Sequence, residues 1–159
     1  MLLFALSAVA PSRMAHVARL AAAALRPGGQ LLLRDYGRYD EAQLRFRRGH
    51  CIGGGGEGAR ADPDGEAAGN FYVKQDGTRV YYFSRADLHA LFGDGAAAAG
   101  AADGAAEDAP CGIFARARGA GLRCVECEYI ARQYQNRQQR VARYRVWVHA
   151  VFEKPGKCD

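Results

Sequence analysis

Three consecutive leucines, Leu31–Leu33, run without a break into Arg34-Asp35-Tyr36. An apolar run of this length with no alternation is the pattern of a strand covered on both faces, as in a parallel sheet. Pro27-Gly28-Gly29 stands before it as a stop. Upstream of the stop, Met14, Val17, Ala18, Ala21 and Leu25 recur at helical spacing, and Pro11-Ser12 opens that helix with Ser12 as the expected N-cap. Leu2–Leu6 is an apolar run of buried-strand length. Strand, helix and strand in this order imply a right-handed parallel crossover and an α/β fold.

The rest of the chain continues the alternation. Glu41–Arg48 reads as a short helix. Phe71–Val73 and Val80–Phe83 flank Gln75-Asp76-Gly77, a hairpin signal. Ser84-Arg-Ala-Asp87 is a capping sequence for a helix running to about Phe92. Residues 112–119 read as a last helix, and Leu122–Gln133 and Val141–Phe152 as two long strands joined by a polar turn. Two segments break the pattern: Gly and Ala supply 11 of 19 residues in 51–69 and 13 of 18 in 93–110. Neither has a hydrophobic period, so both read as flexible surface insertions.

These insertions hold much of the acid. The whole chain carries +5 over 159 residues, but without them it has 21 bases and 9 acids, so the body is strongly basic. Arginine gathers at Arg34, Arg38, Arg45, Arg47 and Arg48 among Tyr36, Tyr39 and Phe46. It gathers again at Arg132, Arg137, Arg140, Arg143 and Arg145, among Tyr129, Tyr134, Tyr144 and Trp147. No acid lies between Glu128 and Glu153. Arginine interleaved with aromatics suits phosphate contact and stacking on unpaired bases; a solubilising face is the plainer alternative.

Other motifs are weaker. Gly53–Gly58 spells GxGxxG, but no strand leads into it and no helix follows, so it lacks the context that cradles a phosphate. Cys124-Val-Glu-Cys127 spells CxxC on an expected strand, where residues three apart face opposite sides; this predicts thiols, packed or exposed, that share no metal. Five cysteines without framework spacing point to reduced thiols. Residues 1–10 resemble a signal-peptide core but lack a basic lead, and Pro11 would follow the cut. No apolar run reaches the roughly 18–20 residues that span a bilayer. Arg34-Asp35-Tyr36 places charge and an aromatic at a strand's carboxyl end, where α/β sheets hold ligands.

Read in order, several blocks resemble the tRNA N3-methylcytidine methyltransferases. They are Phe4–Pro11, Leu25–Gly28, Leu33–Asp40 with Leu44–Phe46, Asn70–Arg79 with Tyr82-Phe83, and Asn136-Arg137 with Tyr144–Trp147. The resemblance covers nearly the whole chain outside the insertions. It implies S-adenosylmethionine as cofactor, tRNA as partner, and for some relatives a helper such as seryl-tRNA synthetase. It implies a partial class I, Rossmann-like methyltransferase sheet, strands four to seven with an antiparallel last strand. Residues 1–159 would then be the carboxyl-terminal part of one methyltransferase domain. The family's Gly-rich cofactor loop and the acid that holds the ribose have no counterpart in this sequence. The compartment expected by default is the cytoplasm, or the mitochondrion if a targeting segment lies upstream.

The chemistry of that activity assigns expected roles. Cytosine N3 carries a lone pair and needs no deprotonation; the enzyme must hold the ring in line and stabilise a developing cation. Asp35 is the expected carboxylate for the N4 amine and Arg145 the expected donor to O2. Strand seven beside strand five would bring the two together at the rim. Ser7 and Ala8 would border the cofactor. Tyr36, Tyr39, Phe46 and Tyr72 are candidates to stack on a base. Arg34 lies beside them, and Arg45, Arg79, Arg137 and Arg143 would meet backbone phosphate. The competing readings are a catalytically inactive RNA-binding module on the same basic face, and a truncated product that does not fold.

Overall fold

In the computed structural model, residues 1–46, 50–52, 69–94, 111–115, 117–136 and 141–156 are described. The chain begins with β1 (Leu2–Leu3), a 3-10 turn (Leu6–Ala8), α1 (Pro11–Ala24) and β2 (Gln30–Tyr36). Next come α2 (Glu41–Leu44), β3 (Cys51–Ile52), β4 (Phe71–Val73) and β5 (Arg79–Tyr81). It closes with α3 (Arg85–Phe92), α4 (Gly112–Ala115), β6 (Arg123–Asn136) and β7 (Val141–Glu153). β1 and β2 pair in parallel across α1, as the strand–helix–strand reading requires. β7 inserts antiparallel between β2 and β6, giving the order β1-β2-β7-β6. A second sheet, β3-β4-β5, is antiparallel.

The core lies on one face of the main sheet. Leu31 and Leu33 of β2 and Val148, Ala150 and Phe152 of β7 pack with Met14, Ala18 and Ala22 of α1 and Leu88, Leu91 and Phe92 of α3. β2 therefore alternates: Leu31, Leu33 and Asp35 are buried, while Leu32 is 42% exposed. The expectation of cover on both faces fails among the described residues, because both packed helices lie on the same side. β1 is also shorter than its apolar run. Phe4 turns out of the sheet at φ 48°, and Leu6 is buried from the 3-10 turn instead.

Local signals explain the remaining elements. The cap of α1 is Ala10 without a side-chain bond, and Pro11 sits inside the first turn, where its missing N–H costs nothing; Ser12 is not the cap. Ser84 accepts from the Asp87 amide and Asp87 from the Ser84 amide, a full capping box on α3. The Asp87 carboxylate is buried and also takes Tyr81 Oη–H and the Cys111 amide. Gly77 turns the β4–β5 hairpin at φ 82°. α2 and α4 are single turns, shorter than the sequence suggests. Cys51–Ile52, at the head of the first Gly/Ala segment, pairs with Tyr72 and Phe71, and Ile52 is buried. Residues 53–68 and 95–110 lie outside the described residues, and with them the GxGxxG letters.

A β-bulge puts Cys124 and Cys127 on one face, where a regular strand would send them to opposite faces. The register slips between Cys124 and Glu126, so Cys124 faces Phe152 and Cys127 faces Ala150. Both thiols therefore pack on the core side. Burial raises the Cys124 thiol pKa.

Candidate functional site

β2 and β7 meet at the carboxyl end of the parallel pair, where Tyr36 stands opposite Trp147. Phe4, just past β1, leans on both rings at 5.2 and 6.2 Å. Beyond Trp147 the β6–β7 hairpin outruns β2, and Tyr134 meets Trp147 edge-on at 5.9 Å. These rings, with Gln135, Arg143 and Arg145, line an open cavity of about 490 Å³. Arg34 lies 5.7 Å over the Trp147 ring, and Arg145 lies 5.3 Å over Tyr36. The cavity is thus an aromatic box with guanidinium groups at its rim, a shape and chemistry suited to a flat, polar-edged ring.

Arg145 is anchored from behind. Its Nε–H donates to Asp40 Oδ2 over 2.9 Å, and the same oxygen accepts from the Val146 amide. Asp40 also caps α2 through Oδ1, which accepts from the Ala42 amide. Burial works against the charge on Arg145 and is the largest single influence; Asp40, by charge and hydrogen bond, together with Tyr36 and Tyr82, outweighs it and holds the guanidinium above its ordinary range. Glu41 accepts from the Tyr144 amide. Asp40 and Glu41 thus cover the edge of β7 where β2 has ended.

The expected meeting of Asp35 with Arg145 does not occur: Arg145 pairs with Asp40. Asp35 and Tyr36 are neighbours on a strand, so their side chains leave opposite faces. Asp35 is 1% exposed, and its two oxygens accept from the Ser7 and Tyr36 amides at 3.0 and 2.9 Å. Burial raises its pKa against those hydrogen bonds. Ser7 is buried with its amide on Asp35, whereas Ala8 is exposed.

The other expected site residues divide. Tyr36, Arg143 and Arg145 line the cavity, and Arg34 lies over the ring of Trp147. Phe46 and Tyr72 stack on each other at 4.8 Å with rings nearly parallel, so each occupies a face of the other. Tyr82, buried beside them, links that pair to Tyr36. Tyr39, at φ 65°, is exposed with Arg38 over its ring. Arg45 pairs with Glu41 on the exposed flank of α2. Arg79 is exposed at the start of β5. Arg137 lies outside the described residues. Tyr134 and Trp147 belong to the second arginine and aromatic cluster of the sequence, whereas Phe4, Gln135 and the pairing of Asp40 with Arg145 emerge only from the fold. The alternation Arg143, Arg145, Trp147 on one face of β7 was the available signal.

A parallel pair extended by an antiparallel strand inserted before its edge partner, with the cavity at the carboxyl ends, is a partial Rossmann-like methyltransferase fold. No family model matches the chain. Among curated proteins, it is 37% identical over 158 residues to tRNA N(3)-cytidine methyltransferase METTL2 of Xenopus tropicalis, covering 99% of the chain and 35% of the relative. It is 36% identical over 154 residues to METTL2 of Mus musculus, covering 97% of the chain and 29% of the relative. A further relative, O-methyltransferase 3 of Dictyostelium discoideum, is 32% identical over 155 residues, covering 98% of the chain and 27% of the relative. The chain is similar over nearly its whole length to tRNA N3-cytidine methyltransferases, and it spans about a third of the length of these relatives. Among the described residues, no helix is long and apolar enough to cross a membrane.

Proposed function

We propose that this chain forms the acceptor-base side of an S-adenosylmethionine-dependent tRNA methyltransferase that makes N3-methylcytidine in the anticodon loop. The observation that carries the reading is the box of Phe4, Tyr36, Tyr134 and Trp147 with Arg145 over it, at the carboxyl ends of β1 and β2. A cytosine ring entering the box stacks on Tyr36 and Trp147. Arg145 donates to its O2 and orients N3. N3 attacks with its own lone pair, so the box needs no general base. The product ring is cationic, and the aromatic faces favour that charge. A bare arginine nearby would oppose it; Asp40 offsets the arginine charge, so the orienting hydrogen bonds act with less repulsion of the ring.

When bound, S-adenosylmethionine supplies an electrophilic methyl group on sulfur. The residues at the end of β1 fit only part of it. Phe4, Ala5 and Ala8 are exposed there and offer an apolar wall. Behind that wall the Asp35 carboxylate is buried on the Ser7 and Tyr36 amides. The described residues at that end therefore offer the donor a wall. Asp35 serves by fixing the Leu6–Ala8 turn that carries this wall, and Arg34 and Arg143 serve the phosphates around the base. The second reading is an RNA-binding module that uses the same arginine and aromatic face.

The test takes the protein as its cells make it. Antibody raised to the chain captures the native species, which is incubated with tRNA and S-adenosylmethionine; digested nucleosides are read by mass spectrometry. New N3-methylcytidine is the expected result. Absence of that nucleoside, together with no binding of S-adenosylhomocysteine, overturns the enzyme reading in favour of the binding module.

A further inference from the structure

The outer part of the β6–β7 hairpin stands beyond the end of β2 and carries an arrangement that folding alone does not favour. β2 stops at Tyr36 opposite Trp147, and the Gly37 amide makes one more bond, to the Val146 carbonyl. The β6–β7 pairing continues past that point, through Arg132 opposite Arg145 and Tyr134 opposite Arg143. A two-stranded ribbon in water is marginal by itself. This one is tied to the body through the Asp40 and Glu41 carboxylates on the Tyr144 and Val146 amides and on Arg145.

Two like charges stand directly across from each other at Arg132 and Arg145, with side-chain stems roughly 4.5–5.5 Å apart at Cβ, an opposition that destabilises a sheet pair. Arg143 follows two residues along β7, on the same face by strand alternation. Asp40 answers Arg145 and, at 3.8 Å, Glu41 stands near Arg143. Arg132 is exposed, and the described part of the ribbon holds no acid of its own. The same face leads straight into the aromatic cavity through Tyr134 and Trp147.

We propose that the ribbon is an RNA-docking arm, and that Arg132 with Arg143 receives a backbone phosphate of the strand whose base enters the aromatic box. The arm rests on the base-binding reading above and adds to it a second contact, one that carries no base information. A phosphate on Arg132 and Arg143 also offsets the charge that Arg132 presents to Arg145 across the ribbon, where Asp40 meets Arg145 from the other side.

The experiment uses the full chain and a fluorescently labelled anticodon stem-loop RNA with an unpaired cytidine, titrated at several salt concentrations. Arg132→Ala should weaken binding about 5–10-fold and shallow the plot of log K against log salt by about 0.7, the loss of one phosphate contact on a single strand. Arg132→Lys should keep most of the slope. The melting temperature of Arg132→Ala should stay level or rise, because a like-charge opposition is removed; lost binding with undiminished stability marks a functional arginine. Unchanged affinity and slope in Arg132→Ala, with binding still lost in Trp147→Ala, overturns the arm and leaves the aromatic box standing. No measurable RNA binding by the unaltered chain overturns both.

Discussion

Asp40 holds Arg145 through a 2.9 Å Nε–H···Oδ2 bond across 105 residues of sequence. Asp40 is fully buried and Arg145 about one-third exposed. The pair joins the loop after β2 to the first half of β7, and so sets both the rim of the cavity and the root of the outer hairpin. Removing Asp40 leaves the Ala42 and Val146 amides and the guanidinium without their acceptor. Asp40→Ala should cost about 3 kcal/mol, at the low end for a broken buried pair because Arg145 keeps some water. Urea unfolding checks this; a loss below about 1 kcal/mol would show that water replaces the carboxylate.

Trp147 forms one wall of the box and touches Phe4, Tyr134 and Arg34. Trp147→Ala should weaken binding of a cytidine-containing loop by about 1–3 kcal/mol, the worth of one base–aromatic stack. Trp147→Phe should restore most of it. Fluorescence anisotropy separates the two, and equal loss in both variants would remove stacking as the cause.

Asp35 gives a pH dependence with a definite sign. Its folded pKa is raised above 3.8, so the folded chain binds its proton more readily than the unfolded chain. The contribution of this group is therefore most favourable at low pH and is lost as pH rises through the folded pKa. The stability of the unaltered protein relative to Asp35→Asn should improve on going from pH 7 toward pH 4. Paired urea titrations measure the difference. A difference that shrinks on acidification would mean that the backbone amides of Ser7 and Tyr36 outweigh burial.

Ser84 is tested apart from the site. Its side chain and Asp87 satisfy each other's amides at the start of α3, whose Leu88, Leu91 and Phe92 are core residues. Ser84→Ala should cost about 1 kcal/mol and lower the melting temperature by about 2–4 °C in a chain of this size. RNA binding should be unaffected at temperatures where the variant is folded.

Much of the fold can be read along the chain. The Ser84–Asp87 capping box, the Gly77 turn and the Pro27-Gly28-Gly29 stop are interactions within a few residues, and their residue types carry the geometry. The β1–α1–β2 crossover follows from handedness. Where the reading failed, something distant intervened. Ser12 lost the cap because Pro11 already fills the first turn. The bulge at Val125 turned Cys124 and Cys127 to one face, and spacing alone does not announce a bulge. Phe46 and Tyr72 became partners of each other because Phe46, just past α2, lies against β4 of the second sheet.

Sequence decided which segments are strand and helix, that the body is basic, and that arginine and aromatic residues alternate along β7. The fold decided which of them share a site. Tyr36 meets Trp147 only because β7 inserts beside β2 in one register, and a slip of one residue would turn every side chain on β7 to the other face. Asp40 rather than Asp35 became the partner of Arg145 for the same reason: strand alternation sends Asp35 into the core, while the chain past Gly37 carries Asp40 to the exposed edge of β7. Local propensity cannot encode that choice, because it arises from hydrogen bonds and packing between strands distant in the chain.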